Sequence, residues 1–80
     1  MTINNAVALR TKRLLKDKNM TVYRLEINSE LTHGALNGIL SGKNKTVTLS
    51  TVYKLARGFE MSVFEFLDDD LFRSEDLEID

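Results

Sequence analysis

The chemistry open to this chain is bounded first by the residue types it carries. Its 80 residues include no cysteine and one histidine, His33. A thiol nucleophile, a disulfide framework and a thiolate metal site are therefore excluded. A single imidazole also leaves a histidine-based zinc site short of ligands. Asp68, Asp69 and Asp70 are adjacent, so their carboxylates cannot all converge on one reacting atom, and nothing pairs His33 with a nucleophile. Gly34, Gly38 and Gly42 recur every four residues in or beside a helix rather than in a loop after a strand, which is not the pattern of a glycine-rich phosphate loop. We expect no catalysis and no cofactor. What remains is recognition chemistry, and the polar side chains available for it cluster between Thr32 and Lys45.

Charge distribution suggests the kind of partner. Residues 1–67 hold ten Lys/Arg against five Asp/Glu, a balance of +5, and residues 68–80 hold one Arg against seven acids, a balance of −6; the two sum to the net −1. A basic body with an acidic tail points to a polyanionic partner for the body. The chain is 42% apolar and 29% charged and has no apolar run near the roughly 20 residues of a membrane span. Met1-Thr2-Ile3-Asn4-Asn5 lacks the basic-then-apolar pattern of a secretory signal. The expectation is a cytoplasmic protein with no membrane partner.

The elements that must position those polar groups read as short helices. Residues 3–18 place Ile3, Val7, Leu14 and Leu15 near helical spacing, and Asn19 is a left-handed stop. Thr21 caps a second helix from Val22 to Ser29 with Leu25 inward; Thr32 caps a third running to about Leu40, with Ala35, Leu36 and Ile39 inward and Gly42 at its C-terminal cap. Thr48 caps a fourth over residues 49–59, and Ser62 a short fifth in which Val63, Phe66 and Leu67 sit at i, i+3 and i+4. No segment alternates as a strand. The expected fold is all-α: a compact five-helix domain over residues 1–67 followed by an acidic tail over 68–80.

Its expected core is Val7, Leu14, Met20, Leu25, Leu36, Ile39, Val52, Leu55, Ala56, Phe59, Val63, Phe66 and Leu67. A core of this size rarely supplies more than about 3–5 kcal/mol of net stability, so self-association is a reasonable supplement.

The sharpest pattern is two short helices joined by a tight turn, residues 21–41. Leu25 on the first faces Leu36 and Ile39, eleven and fourteen residues on, and this buried set makes the second helix protrude. A protruding helix fits the major groove of B-DNA, about 12 Å wide.

On these residues the sequence resembles the lambda-repressor/Cro-like (Xre-type) helix-turn-helix family of bacterial and phage regulators. The likeness spans roughly residues 4–67. It includes the loop Ser41-Gly42-Lys43-Asn44-Lys45, the fourth helix Thr48-Leu-Ser-Thr-Val-Tyr-Lys-Leu-Ala-Arg-Gly-Phe59 and the closing segment Met61-Ser-Val-Phe-Glu-Phe-Leu67.

The resemblance implies a recognition helix over about 32–40 that reads bases from its N-terminal half while the preceding helix crosses the backbone. Carried onto this chain, the base readers are Thr32, His33 and Gly34, with Asn37 one turn on. An Asn side chain pairs with adenine N6 and N7. Phosphate contacts fall to Thr21 with Tyr23, and to Lys43, Asn44 and Lys45. The chain departs from the family pattern at four positions. Glu26 stands where a small residue is usual, Val22 where Gln is common, and Val47 where the loop often has proline. Glu30 replaces the turn glycine, so it must adopt an unusual backbone conformation or lengthen the turn. Glu26 and Glu30 also bring negative charge toward a polyanion.

The expected function is a sequence-specific regulator of transcription, a repressor acting on double-stranded DNA as a homodimer at an inverted repeat. The competing reading is a protein-interaction module on the same fold with weak or no DNA binding, either an antitoxin whose acidic tail covers a toxin or an antirepressor that no longer binds DNA.

Overall fold

Each helix of the molecule begins at a hydroxyl. The computed structural model describes residues 1–43 and 46–79. Within them α1 spans Ile3–Asp17, α2 Val22–Ser29, α3 His33–Ser41, α4 Leu49–Gly58 and α5 Val63–Leu67, followed by one 3-10 turn at Asp70–Phe72. The residues preceding them are Thr2, Thr21, Thr32, Thr48 and Ser62, all in extended conformation. Each side-chain oxygen accepts a hydrogen bond from the backbone N–H three residues on, which satisfies a donor that the first helical turn leaves unpaired. At α5 the cap is reciprocal, because the Glu65 carboxylate also accepts from the Ser62 N–H.

The stops are equally local. Asn19, Glu30, Gly42 and Glu60 all have positive φ, between 51° and 71°, and each turns the chain away from the helix before it. The expectation at Asn19 and Gly42 is met. Glu30 takes the strained of its two options, φ 61° and ψ 24°, so the turn keeps its length without a glycine. Three helix bounds move by one residue: α1 ends at Asp17, α3 runs to Ser41 and α4 ends at Gly58.

All of the expected core is buried except Met20 and Leu67, which are half-buried at its edge. Ala6 and Ala8 join it, as do the polar Asn4, Thr11 and Ser29. Thr11 donates to the Val7 carbonyl at 2.8 Å and Ser29 to the Leu25 carbonyl at 2.6 Å. Burial of these hydroxyls is thereby offset by bonds within their own helices. Phe59 and Phe66 are the largest fully buried side chains and tie α4 and α5 into the centre.

Two contacts fix the helix pair that carries the candidate site. The end of α4 lies against α2 so closely that a Cβ on Gly58 would stand 2.7 Å from Leu25 Cδ1 and 3.0 Å from Ser29 Cβ. Glycine permits that approach. The end of α3 lies against the start of α1, where a Cβ on Gly42 would stand 2.8 Å from Asn5 Oδ1.

Beyond α5 the acidic segment folds back along α1. The Ile3 N–H donates to the Glu78 carbonyl at 2.9 Å and the Glu78 N–H to the Met1 carbonyl at 3.0 Å, pairing Thr2 with Glu78 in a single parallel β-bridge. Phe72 packs against Phe66 with ring centroids 6.3 Å apart. Arg10 holds the junction: Nε donates to the Phe66 carbonyl at 2.7 Å, one terminal nitrogen to the Glu65 carbonyl at 2.9 Å, and the other to Asp69 at 3.2 Å. Its guanidinium also lies 5.9 Å from the Phe66 ring centroid.

Candidate nucleic-acid interface

The turn between α2 and α3 is built from residues with a local reason to be there. Ser29 is buried and its hydroxyl also accepts from the Leu31 N–H at 3.3 Å. Glu30 supplies the left-handed residue, and Thr32 caps α3 by accepting from the Ala35 N–H at 3.1 Å. On α3, Leu36 and Ile39 are buried. His33, Gly34 and Asn37 are exposed on the opposite face. Helical spacing puts Ser41 on the same stripe, one turn beyond Asn37. In the sequence Ser41 stands only as the first residue of the loop after the helix; the i, i+4, i+8 series 33, 37, 41 is the signal that places it on the stripe.

Most of the polar groups expected to act together are exposed. Thr32, His33, Gly34 and Asn37 lie along the outer side of α3, and Lys43 follows its C-terminal cap, exposed. Thr21 and Tyr23 stand at the N-terminus of α2, with Tyr23 70% exposed. The oxygens of Thr21 and Thr32 are engaged as caps, but a hydroxyl that accepts still has its own proton to donate. Asn44 and Lys45 lie outside the described residues. Beyond the neighbouring residues and backbone of its own helix, nothing among the described residues comes within 4 Å of a Cβ built on Gly34, so internal packing places no demand for glycine at that position.

Two acidic residues near this surface have structural roles. Glu30 forms the turn. Glu26, whose side chain is only 17% exposed, reaches across to His33, with Oε2 3.0 Å from Nδ1. No local pattern signals that contact, because seven residues and a turn separate the partners.

Three of the tail's carboxylates are paired. Asp69 faces Arg10 and Arg13, and Arg73 pairs with Asp68 and Asp70. Among the described residues Arg24, Lys43, Lys54 and Arg57 form no ion pair. Arg24 and Lys43 flank the exposed stripe of α3 along the chain, leaving positive charge available to a polyanion.

The model of one family, described as the Cro/C1-type HTH DNA-binding domain, matches residues 10–70. No curated protein and no solved structure matches significantly.

Proposed function

The chain belongs to the Cro/C1-type HTH DNA-binding family and is a DNA-binding regulator, and from that premise we propose that it is a repressor binding an inverted-repeat operator as a homodimer. The observation that carries this reading is the outward stripe of α3: hydrogen-bonding side chains at 33 and 37 and a side-chain-free position at 34, exposed on a helix whose other face is locked into the core. In the proposed complex α3 enters the major groove. Thr32, His33 and Asn37 meet base edges, and Gly34 lets the helix backbone come close. Thr21, Tyr23, Lys43, Asn44 and Lys45 hold phosphates. Lysine and arginine contacts supply most of the affinity, and the few side chains on α3 supply the specificity. Repression follows from occupying promoter DNA in the cytoplasm.

A second copy is favoured by the face formed by α4 and α5. Phe64 is 80% exposed, Leu49 64% and Tyr53 50%, and Tyr53, Met61 and Phe64 line one groove. Arg57 and Glu60 also line it, and Lys54 lines the adjoining groove with Leu49 and Tyr53; none of the three forms an ion pair among the described residues. A two-fold axis lets each copy's cations meet the other's carboxylate. Covering two Phe64 rings contributes about 3–6 kcal/mol per dimer.

Selection from a random duplex library at ~150 mM salt, a concentration at which weak phosphate-only binding is suppressed, tests the reading. We expect a symmetric site with half-sites about 34–36 Å apart. Enrichment of nothing, with steeply salt-dependent binding alone, would assign the fold to a protein partner instead. Phe64→Glu is expected to sediment as a folded monomer and to lose the symmetric site; a dimeric variant would move the interface elsewhere.

A further inference from the structure

The contact between Glu26 and His33 has a chemical consequence for what α3 presents to DNA. The imidazole is 78% exposed along its side chain, while Glu26 beneath it is largely covered. The ring therefore stands on the surface with one edge tethered. Its Nδ1 faces a carboxylate oxygen at 3.0 Å. A carboxylate only accepts hydrogen bonds, so the neutral ring that fits this contact is the one with its proton on Nδ1. The opposite tautomer would set the Nδ1 lone pair against a carboxylate oxygen. The hydrogen bond made by one ring nitrogen in this way decides the state of the other.

We infer that Glu26 is a positioning residue for sequence readout: it fixes His33 as the Nδ1–H tautomer, so that Nε2 is offered to the groove as an acceptor for the exocyclic amine of cytosine or adenine. This inference rests on the proposed reading of α3 as the recognition helix. Cytosine N4 and adenine N6 are the amino donors of the major groove, whereas guanine offers acceptors there. A bare Nε2 is matched to the first pair and mismatched to guanine. Glu26 also stands on the side of the molecule that the proposed reading turns toward a polyanion. There its carboxylate is covered and paired with the ring it orients.

The chain has a single histidine, so its ring nitrogens give one unambiguous set of two-bond 1H–15N correlations. The spectrum of the full chain at about pH 8.5, above the ordinary histidine titration range, is expected to show a protonated Nδ1 and a bare Nε2. Glu26→Ala is expected to shift the ring toward Nε2–H. A wild-type ring already protonated at Nε2, or one identical in the variant, overturns the inference. Duplex selection at the same pH supplies the second readout. Wild type should enrich cytosine or adenine at one position of each half-site, and Glu26→Ala and His33→Ala should each lose roughly tenfold discrimination there while keeping the rest of the site. Unchanged preference in both variants overturns the base-reading step even if the tautomer is as stated. If wild type enriches no site at all, the DNA reading fails and the base-reading step with it; the spectrum then still decides whether Glu26 holds the ring.

Discussion

Asn37 sits one helical turn beyond His33, exposed on α3 and free of any part in the core. In the proposed complex its amide meets an adenine edge. Asn37→Ala should cost about 1–3 kcal/mol of discrimination at one base position and leave stability unchanged; an unaltered selected site would remove Asn37 from the readout. Glu65 illustrates a side chain whose role is structural. Hydrogen bonds from the Ser62 N–H and hydroxyl, helped by the charge of Lys18, hold its carboxyl below the usual value of 4.5. A lowered folded pKa means that the cap's contribution is complete above the ordinary value and is lost as the pH falls through the folded one. Thermal unfolding followed from about pH 6 to 3 should therefore be less steep for Glu65→Gln than for wild type. Parallel curves would show that the cap does not titrate. Both roles were half legible in the sequence. The cap signature at 62–65 is a local pattern, and so is an Asn at the right turn of a helix, but what Glu26 does depends on a partner across a bend.

At the scale of elements, the helices follow from hydroxyl starts and left-handed stops, both of which are short-range chemistry. Glu30 is the exception, since a non-glycine residue there admits two outcomes and only the folded structure decides between them. It adopts φ 61°, a conformation that costs an L-residue about 1–2 kcal/mol, less what glycine would lose in backbone entropy. Glu30→Gly should accordingly raise unfolding stability by about 0.5–1 kcal/mol in urea titrations. A decrease would mean that the Glu30 side chain is worth more than its strain. The burial of Leu25, Leu36 and Ile39 was readable from period, but period also places Ala35 inward, and Ala35 is exposed. The seating of α2 on α4 was not readable from it. It depends on Gly58 admitting Leu25 and Ser29, a meeting of residues some thirty positions apart that no local pattern encodes.

For the molecule as a whole, Arg10 is the residue that joins the body to the segment after α5. Only 13% of its side chain is exposed, and it bonds two carbonyls and one carboxylate. Arg10→Met keeps much of the stem and removes all three bonds. We expect a loss of about 2–3 kcal/mol, because the acceptors left behind are poorly solvated. Hydrogen exchange should then become faster at the amides of Ile3 and Glu78, which close the segment onto α1. Unchanged protection there would show that Phe72 and the β-bridge hold the segment without Arg10. The sequence by itself determined the five helices, their caps and the buried stripe of each, because hydroxyl capping, left-handed stops and 3.6-residue periodicity act within a few residues. The tertiary structure decided the rest: that the acidic segment lies along α1, that Glu26 meets His33, and that α2 seats on Gly58. Those outcomes depend on distance and orientation between residues far apart in the chain, which packing of the whole core must first establish.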